Sequence, residues 1–426
     1  MSEELIFLVQ AFAVLVLPVM IWRGLFLRGA VPLVVVQILV GVALGPTVFG
    51  RYAPPLYHLF FNPATLTPLW GVASIAVLLF GFVTGLHLDP QSFLGRGRGF
   101  ALVAGASVGV PAAAGFLGGL WIAAHQPAVL GVGVNPVAFA TAFGICTAVT
   151  ALPVLGAILR EMNLLGSRLA SYALGIAAVN DAVLWLLLGA LMTAVPGTGA
   201  RGGMGFIISV LGLPLYLAAM MWCVPRLMRR IVGVLMRDGR IGERALAGCC
   251  AVALGSAMIS QALGLHYIFG AFVAGMLMPH ELRQPLLDRL QVATAGLLMP
   301  FFFMLTGLRT LLDFKSAGFL DILLLATALA VVGKVAGTAI VARLVGERWT
   351  TGLSLGALVQ TNGLMGLIVL TILLDRGIIS QNVFSALVLM GVLTTMLAMP
   401  LTRLAQRLER RRGAAATPAA VEPAVD

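Results

Sequence analysis

Apolar windows of about 20 residues follow one another along nearly the whole chain, separated by short connections. That is the helix length needed to cross the hydrocarbon core of a bilayer. Soluble domains carry about a quarter charged residues, whereas this 426-residue chain has 60% hydrophobic and 10% charged residues. The expected class is an all-α polytopic membrane protein. About thirteen transmembrane helices are expected, at roughly 5–23, 31–49, 66–86, 99–124, 137–159, 169–195, 204–225, 244–264, 266–279, 292–308, 318–342, 350–373 and 380–402. The ninth is short enough for a re-entrant segment. Glu3 and Glu4, rather than a basic segment, precede the first run, and no small-residue cleavage site follows it. It reads as a retained helix.

The formal charge of +11 is distributed by side. Basic residues collect on alternate connections: Arg23 and Arg28, Arg96 and Arg98, Arg160 and Arg168, the cluster Arg226–Arg244, Arg283 and Arg289, Arg343 and Arg348, then Arg403–Arg412. By the positive-inside rule this puts the N-terminus outside and the C-terminus in the cytoplasm. The charge therefore reads as a topology determinant, with no nucleic acid as partner. The longest cytoplasmic connection, about 226–243, is too short to fold alone, and the tail GAAATPAAVEPAVD has a disordered composition. Cys146, Cys223, Cys249 and Cys250 lie in or at the ends of apolar spans without metal-ligand spacing, so they read as packing residues and no transition-metal site is expected.

Once the connections are assigned, one acid and one base remain well inside spans: Asp181 in IAAVNDAVLWLLL and Lys334 in ALAVVGKVAGTAIVARLVG. Burying either costs about 2.5–3.5 kcal/mol on an insertion scale. Such residues face a partner or a wet cavity and mark ion or proton pathways. A salt bridge that only docks two helices is the lesser reading, because a hydrophobic pair usually packs as stably.

Two spans carry helix breakers. Span 5 reads GICTAVTALPVLGAIL, with Thr147, Thr150 and Pro153 near its middle. Pro153 has no amide hydrogen and frees the carbonyl of Val149. Span 12 reads SLGALVQTNGLMGLIVL, with Gln360, Thr361, Asn362 and Gly363 together. The two spans are seven apart, an odd offset that gives the halves opposite orientation, as inverted repeats require. Paired discontinuous helices of that kind cross near the membrane midplane, where half-helix ends and freed carbonyls can hold an ion. Asp181 follows one break and Lys334 precedes the other. An aspartate there carries a proton or a metal cation but not both, and with alternating access this is exchange of H⁺ for a cation. A passive channel would accept an acid too, without needing two repeat-related breaks. A non-transporting sensor is a third reading. Neither a zinc-binding His-Glu-x-x-His nor a phosphate-binding loop occurs in the sequence, so no enzyme is expected.

The run TAVTALPVLGAILREMNLLGSRLASYALGIAAVNDAVLWLLL resembles the central helices of the monovalent cation:proton antiporter-2 family. Its pattern is that of the plant cation/H⁺ exchangers and fungal K⁺/H⁺ antiporters, with a TAFPVLARIL … AAVNDV signature. GVALGPTVFGR, HYIFGAFVAGMLMP, LLMPFFFMLTGLRT, VVGKVAG and NGLMGLIVLTILLDRGIIS agree in order. The resemblance implies the inverted-repeat sodium/proton antiporter fold with two broken crossing helices, an exchanger domain over 1–405, a basic then disordered tail over 406–426, and a homodimer in the cell inner membrane. It implies H⁺ and K⁺ or Na⁺ as substrates and no cofactor. By motif, Asp181 is similar to the family's cation- and proton-carrying aspartate, with Asn180 as its neighbour, Thr150 as the unwound-helix threonine and Lys334 as the buried lysine. Thr147 joins the binding set; Gln360, Thr361 and Asn362 are the polar groups of the second break. An Asn-Asp pair is associated with electroneutral one-for-one exchange. This chain departs from the pattern where Ala148 replaces a serine, Asn362 a lysine and Gly366 a glutamate. Gln37 and His87 also stand at usually acidic positions. His87 and His266 read as an interfacial and a capping histidine, and Arg309 as an outside-facing interfacial charge.

Overall fold

Helix after helix forms where Leu, Val, Ala and Ile run without interior charge, and the helices stop where Pro, Gly and Arg gather. The computed structural model describes residues 2–25, 31–87, 97–131, 133–164, 167–194, 202–237, 240–263, 265–314, 316 and 318–415. The helices are α1 (Glu3–Gly24), α2 (Leu33–Leu44), α3 (Phe49–Tyr52), α4 (Pro54–Phe60), α5 (Pro63–His87), α6 (Gly97–His125), α7 (Pro136–Ala148), α8 (Leu152–Glu161) and α9 (Arg168–Ala194). They continue as α10 (Gly202–Leu235), α11 (Glu243–Ala262), α12 (Tyr267–Met276), α13 (His280–Ala293), α14 (Met299–Arg309), α15 (Phe319–Leu344), α16 (Trp349–Val359), α17 (Gly363–Asp375) and α18 (Gln381–Ala415). Among the described residues the one β-ladder is a hairpin pairing Met236–Arg237 with Arg240–Ile241.

Among the described residues, nine helical stretches are long and apolar enough to cross a bilayer. With α10, α12 and the interrupted pairs α7/α8 and α16/α17, the expected set of about thirteen crossings is present. Three boundaries differ from expectation. The seventh helix runs on to Leu235, because Leu, Met and Arg in the basic stretch are good helix formers. The tenth crossing begins at His280 and passes through a π-turn, Thr294–Leu298, beside Pro300, whose missing amide hydrogen an ordinary turn would need. The last helix continues to Ala415, and residues 416–426 of the expected tail lie outside the described residues.

The helices pack as two groups. One contains α1, α2, α5 and α10–α14; the other contains α6–α9 and α15–α18. Contact between them is sparse and falls on α9 with α10, α17 with α14 and α2, and α18 with α2. Both interrupted crossings lie inside the second group, wrapped by α6, α9, α15 and α18. The four cysteines are free, with Cys146 and Cys249 buried. His266 caps α12 by accepting from the Ile268 amide at 3.4 Å, as its position at the start of that span suggested.

Candidate functional site at the helix crossing

Each interrupted crossing has a local cause. α7 starts under an Asn135 cap, whose side chain accepts from the Ala138 amide at 2.7 Å, and stops at Ala148. Val149 and Ala151 are then extended, and α8 restarts with Pro153 in its first turn, where a missing amide hydrogen is harmless. α16 stops at Val359, and Gly363 opens α17 with φ +35°. A Cβ at Gly363 would lie 2.6 Å from Val154 Cγ2, so this close crossing requires glycine. The two breaks are tied to each other by the Ala151 amide, which donates to the Thr361 carbonyl at 2.7 Å.

Lys334 reaches into the crossing from α15 and is fully buried. Its ammonium donates to the Val149 carbonyl, to Thr150 Oγ1 at 2.6 Å and to the Val359 carbonyl at 3.0 Å. An ammonium has three N–H groups, and all three are used. Val149 and Val359 stand at the C-terminal ends of α7 and α16, where the backbone dipoles present negative charge. The freed carbonyl of Val149, expected to be open to an ion, is thus filled by the chain's own cation. Thr150 Oγ1 donates to the Val359 carbonyl at 2.7 Å and accepts from Asn180 Nδ2 at 2.9 Å. With Lys334 also donating to it, this hydroxyl has no capacity left for a further ligand while the network stands. Asn180 Oδ1 in turn accepts from Ser107 on α6 at 3.1 Å.

Asp181 contrasts with its neighbours. It is 0% exposed, and neither carboxylate oxygen has a hydrogen-bond partner. The charge on Lys334 and the amide of Leu152 act on it electrostatically, yet it forms no ion pair with that lysine. Leu152 opens α8, so the acid faces the positive end of one half-helix while the lysine sits on the negative ends of two. The helix-docking salt bridge considered from the sequence is not made.

The remaining candidates divide. Thr361 is buried in the second break, and its hydroxyl donates to the Leu358 carbonyl at 3.2 Å. Gln360 Nε2 donates to the Thr394 carbonyl at 3.4 Å, leaving Oε1 without a partner. Asn362 has neither side-chain atom paired. Thr147 lies apart from the network: its hydroxyl faces the carbonyls of Pro111 and Gly144, both at 2.9 Å, and serves the packing of α7 on α6. Ser107, Thr394 and Thr395, whose hydroxyl accepts from the Gly363 amide at 3.3 Å, were missed from the sequence; hydroxyls within apolar spans were their only signal. Among the described residues no group of three His, Cys, Asp or Glu could hold a metal ion. A cavity of about 580 Å³ lies away from Asp181, between the ends of α9, α16 and α18. Ion pairs Arg168–Glu347 (3.1 Å) and Arg348–Glu409 (3.8 Å) border it, and buried Ser354 lines it.

The sequence around this crossing also matches known proteins. Residues 12–403 match the family described as sodium/hydrogen exchanger, transmembrane. The chain belongs to that family. It is 31% identical over 383 residues to cation/H(+) antiporter 18 of Arabidopsis thaliana, covering 89% of this chain and 46% of that protein. It is 29% identical to the Na(+)/H(+) antiporter NhaS4 of Synechocystis, covering 88% and 92%. It is 28% identical to K(+)/H(+) antiporter 1 of Saccharomyces cerevisiae, covering 93% and 46%. The chain thus spans somewhat less than half the length of the plant and yeast relatives and most of the cyanobacterial one. The sodium proton antiporter MjNhaP1 of Methanocaldococcus jannaschii superposes with a TM-score of 0.57 at 13% identity, over 96% of this exchanger-family chain and 99% of that one. This likeness establishes the shared fold.

Proposed function

We propose that the chain is a secondary antiporter that exchanges a monovalent cation, K⁺ or Na⁺, for protons by alternating access at Asp181. The observation that carries this reading is the bare carboxylate: it is fully buried and has no hydrogen-bond partner, beside a helix crossing whose other polar groups are largely committed. An ionised carboxylate is costly in such a place unless something neutralises it. A proton does so, and so does a cation, and one carboxylate takes one of them at a time. The similarity to proteins named Na(+)/H(+) and K(+)/H(+) antiporters supports both candidate cations.

Lys334 keeps its proton throughout in this reading, because deprotonation would turn a lone pair toward a carbonyl that now accepts from it. It acts as a fixed charge that holds the two half-helix ends together. Asn180 positions Thr150 and adds no second acid, which supports one-for-one exchange. Asymmetry of the basic connections supports an N-terminus outside and a C-terminus in the cytoplasm of the cell inner membrane. A homodimer follows from the resemblance alone.

The test is purified protein in liposomes, with pH-gradient-driven fluxes of K⁺, Na⁺ and Li⁺. The wild type drives cation uphill at the expense of the proton gradient, whereas a channel only dissipates gradients. Asp181→Asn is expected to abolish exchange, and full exchange by that variant would refute the assignment.

A further inference from the structure

We infer that the N-terminus of α17 holds one ordered water, bound by the side-chain amide of Asn362. Asn362 is the N-cap of this 13-residue half-helix, yet its side chain makes no capping hydrogen bond. It is 1% exposed, and both Oδ1 and Nδ2 lack a partner in the protein. Buried amides are normally satisfied, so two unmet atoms on one side chain call for a ligand. A cavity of about 10 Å³ adjoins it, lined by Asn362, Gly363, Gly366 and Gly391 with Cys146 and Met390 among the apolar residues. That volume is about what one water needs, and a buried water needs two to four polar partners. Asn362 offers a donor and an acceptor; the Gly363 amide is already taken by Thr395 Oγ1 at 3.3 Å, and the amides after it in a helix's first turn have no intrahelical partner.

The chemistry selects water over an ion. A cation at this point would face the positive end of α17. An anion would find that end favourable, but no cationic side chain lines the cavity and the space is too small for chloride. A neutral molecule of water's size that both donates and accepts fits the groups present. Its effect is to extend the cap of α17 that Thr395 Oγ1 begins by accepting from the Gly363 amide at 3.3 Å. The inference goes beyond the exchange reading, and its readouts are density and melting temperature rather than flux.

Gly366 supplies the test. A Cβ placed there meets Asn362 Cβ at 3.6 Å and Val149 Cγ1 at 3.8 Å, ordinary contacts that require nothing to move. In a dry cavity, Gly366→Ala would fill space, improve helix propensity and raise the melting temperature. With a water present, the methyl displaces it and strips Asn362 of its partner, so the melting temperature falls by about 2–4 °C. Gly366→Ser, whose hydroxyl substitutes for the water, recovers most of that loss. An experimental map of the wild-type protein fine enough to show ordered solvent is expected to hold one peak within hydrogen-bond distance of the Asn362 amide, with no anomalous signal after bromide exchange. Absence of the peak, a bromide signal, or a Gly366→Ala melting temperature at or above wild type overturns the proposal.

Discussion

Thr150 sits where three helices and both charges of the site meet. Its hydroxyl receives one N–H from Lys334 and one from Asn180 and passes its own hydrogen to Val359. Thr150→Val keeps the shape and removes all three bonds, leaving two buried donors unmet. Each unmet donor costs about 1–3 kcal/mol, and more when charged. A markedly lower melting temperature with loss of exchange is the expected result, whereas Thr150→Ser stays close to wild type in both. A Thr150→Val protein as stable as wild type would mean that Lys334 and Asn180 find other partners. The sequence exposed Asp181, Lys334 and Thr150 because charge or hydroxyl in an apolar run is conspicuous. It did not expose what they touch. The Asp–Lys salt bridge, the lesser reading of the sequence, is not made, because the lysine prefers two helix ends, each worth about half a charge, over one carboxylate. Ser107 was invisible for a related reason: a serine in a run of small residues carries no mark of the asparagine it supports 73 positions away.

Among the elements, the two interrupted crossings were the most legible, since Pro153 and Gly363 act through the backbone, and backbone effects are local. The restart of α8 at Leu152 and of α17 at Gly363 lies within the polar stretches that marked them. Helix ends near the surface were read less well, because Leu, Met and Arg at 226–235 continue a helix past the point where the apolar run stops. Nothing in the sequence said that α7 and α16 would share one cap. Lys334 is that cap, so Lys334→Met should loosen both half-helices at once. It leaves the carbonyls of Val149 and Val359 facing each other's charge and deletes one member of a buried polar network, a change of about 3–5 kcal/mol by analogy with broken buried pairs. Hydrogen exchange measured across the chain should show faster exchange in both 143–149 and 354–360, far apart in sequence. Faster exchange in only one of them would mean that the lysine supports a single break.

The seven-span offset predicts two related halves in sequence, and the two packed groups cut across them: α6–α9 join α15–α18, and α1, α2 and α5 join α10–α14. At one end the groups are fastened by Arg309, the charge read as interfacial. It pairs with Asp375 at 2.7 Å and lies 5.2 Å from the Trp70 ring, and its carbonyl accepts from Gln381 at 2.5 Å. Leu311 adds a bond to Ser385 at 2.9 Å. Both buried charges ride in one group, so the net charge of that group in each loaded state decides whether transport moves current. In the proposed cycle Lys334 is cationic in both states, Asp181 is neutralised by H⁺ in one and by the metal cation in the other, and the two states carry the same charge. A cation-concentration jump on proteoliposomes adsorbed to an electrode should therefore give no sustained charge displacement, even at protein densities where fluorescence reports rapid exchange. Asn180→Asp introduces a second titratable group in the same place, and a current should appear with it. A sustained current in the wild type would mean that Lys334 or another group releases a proton during the cycle, and one-for-one exchange at Asp181 would have to be abandoned.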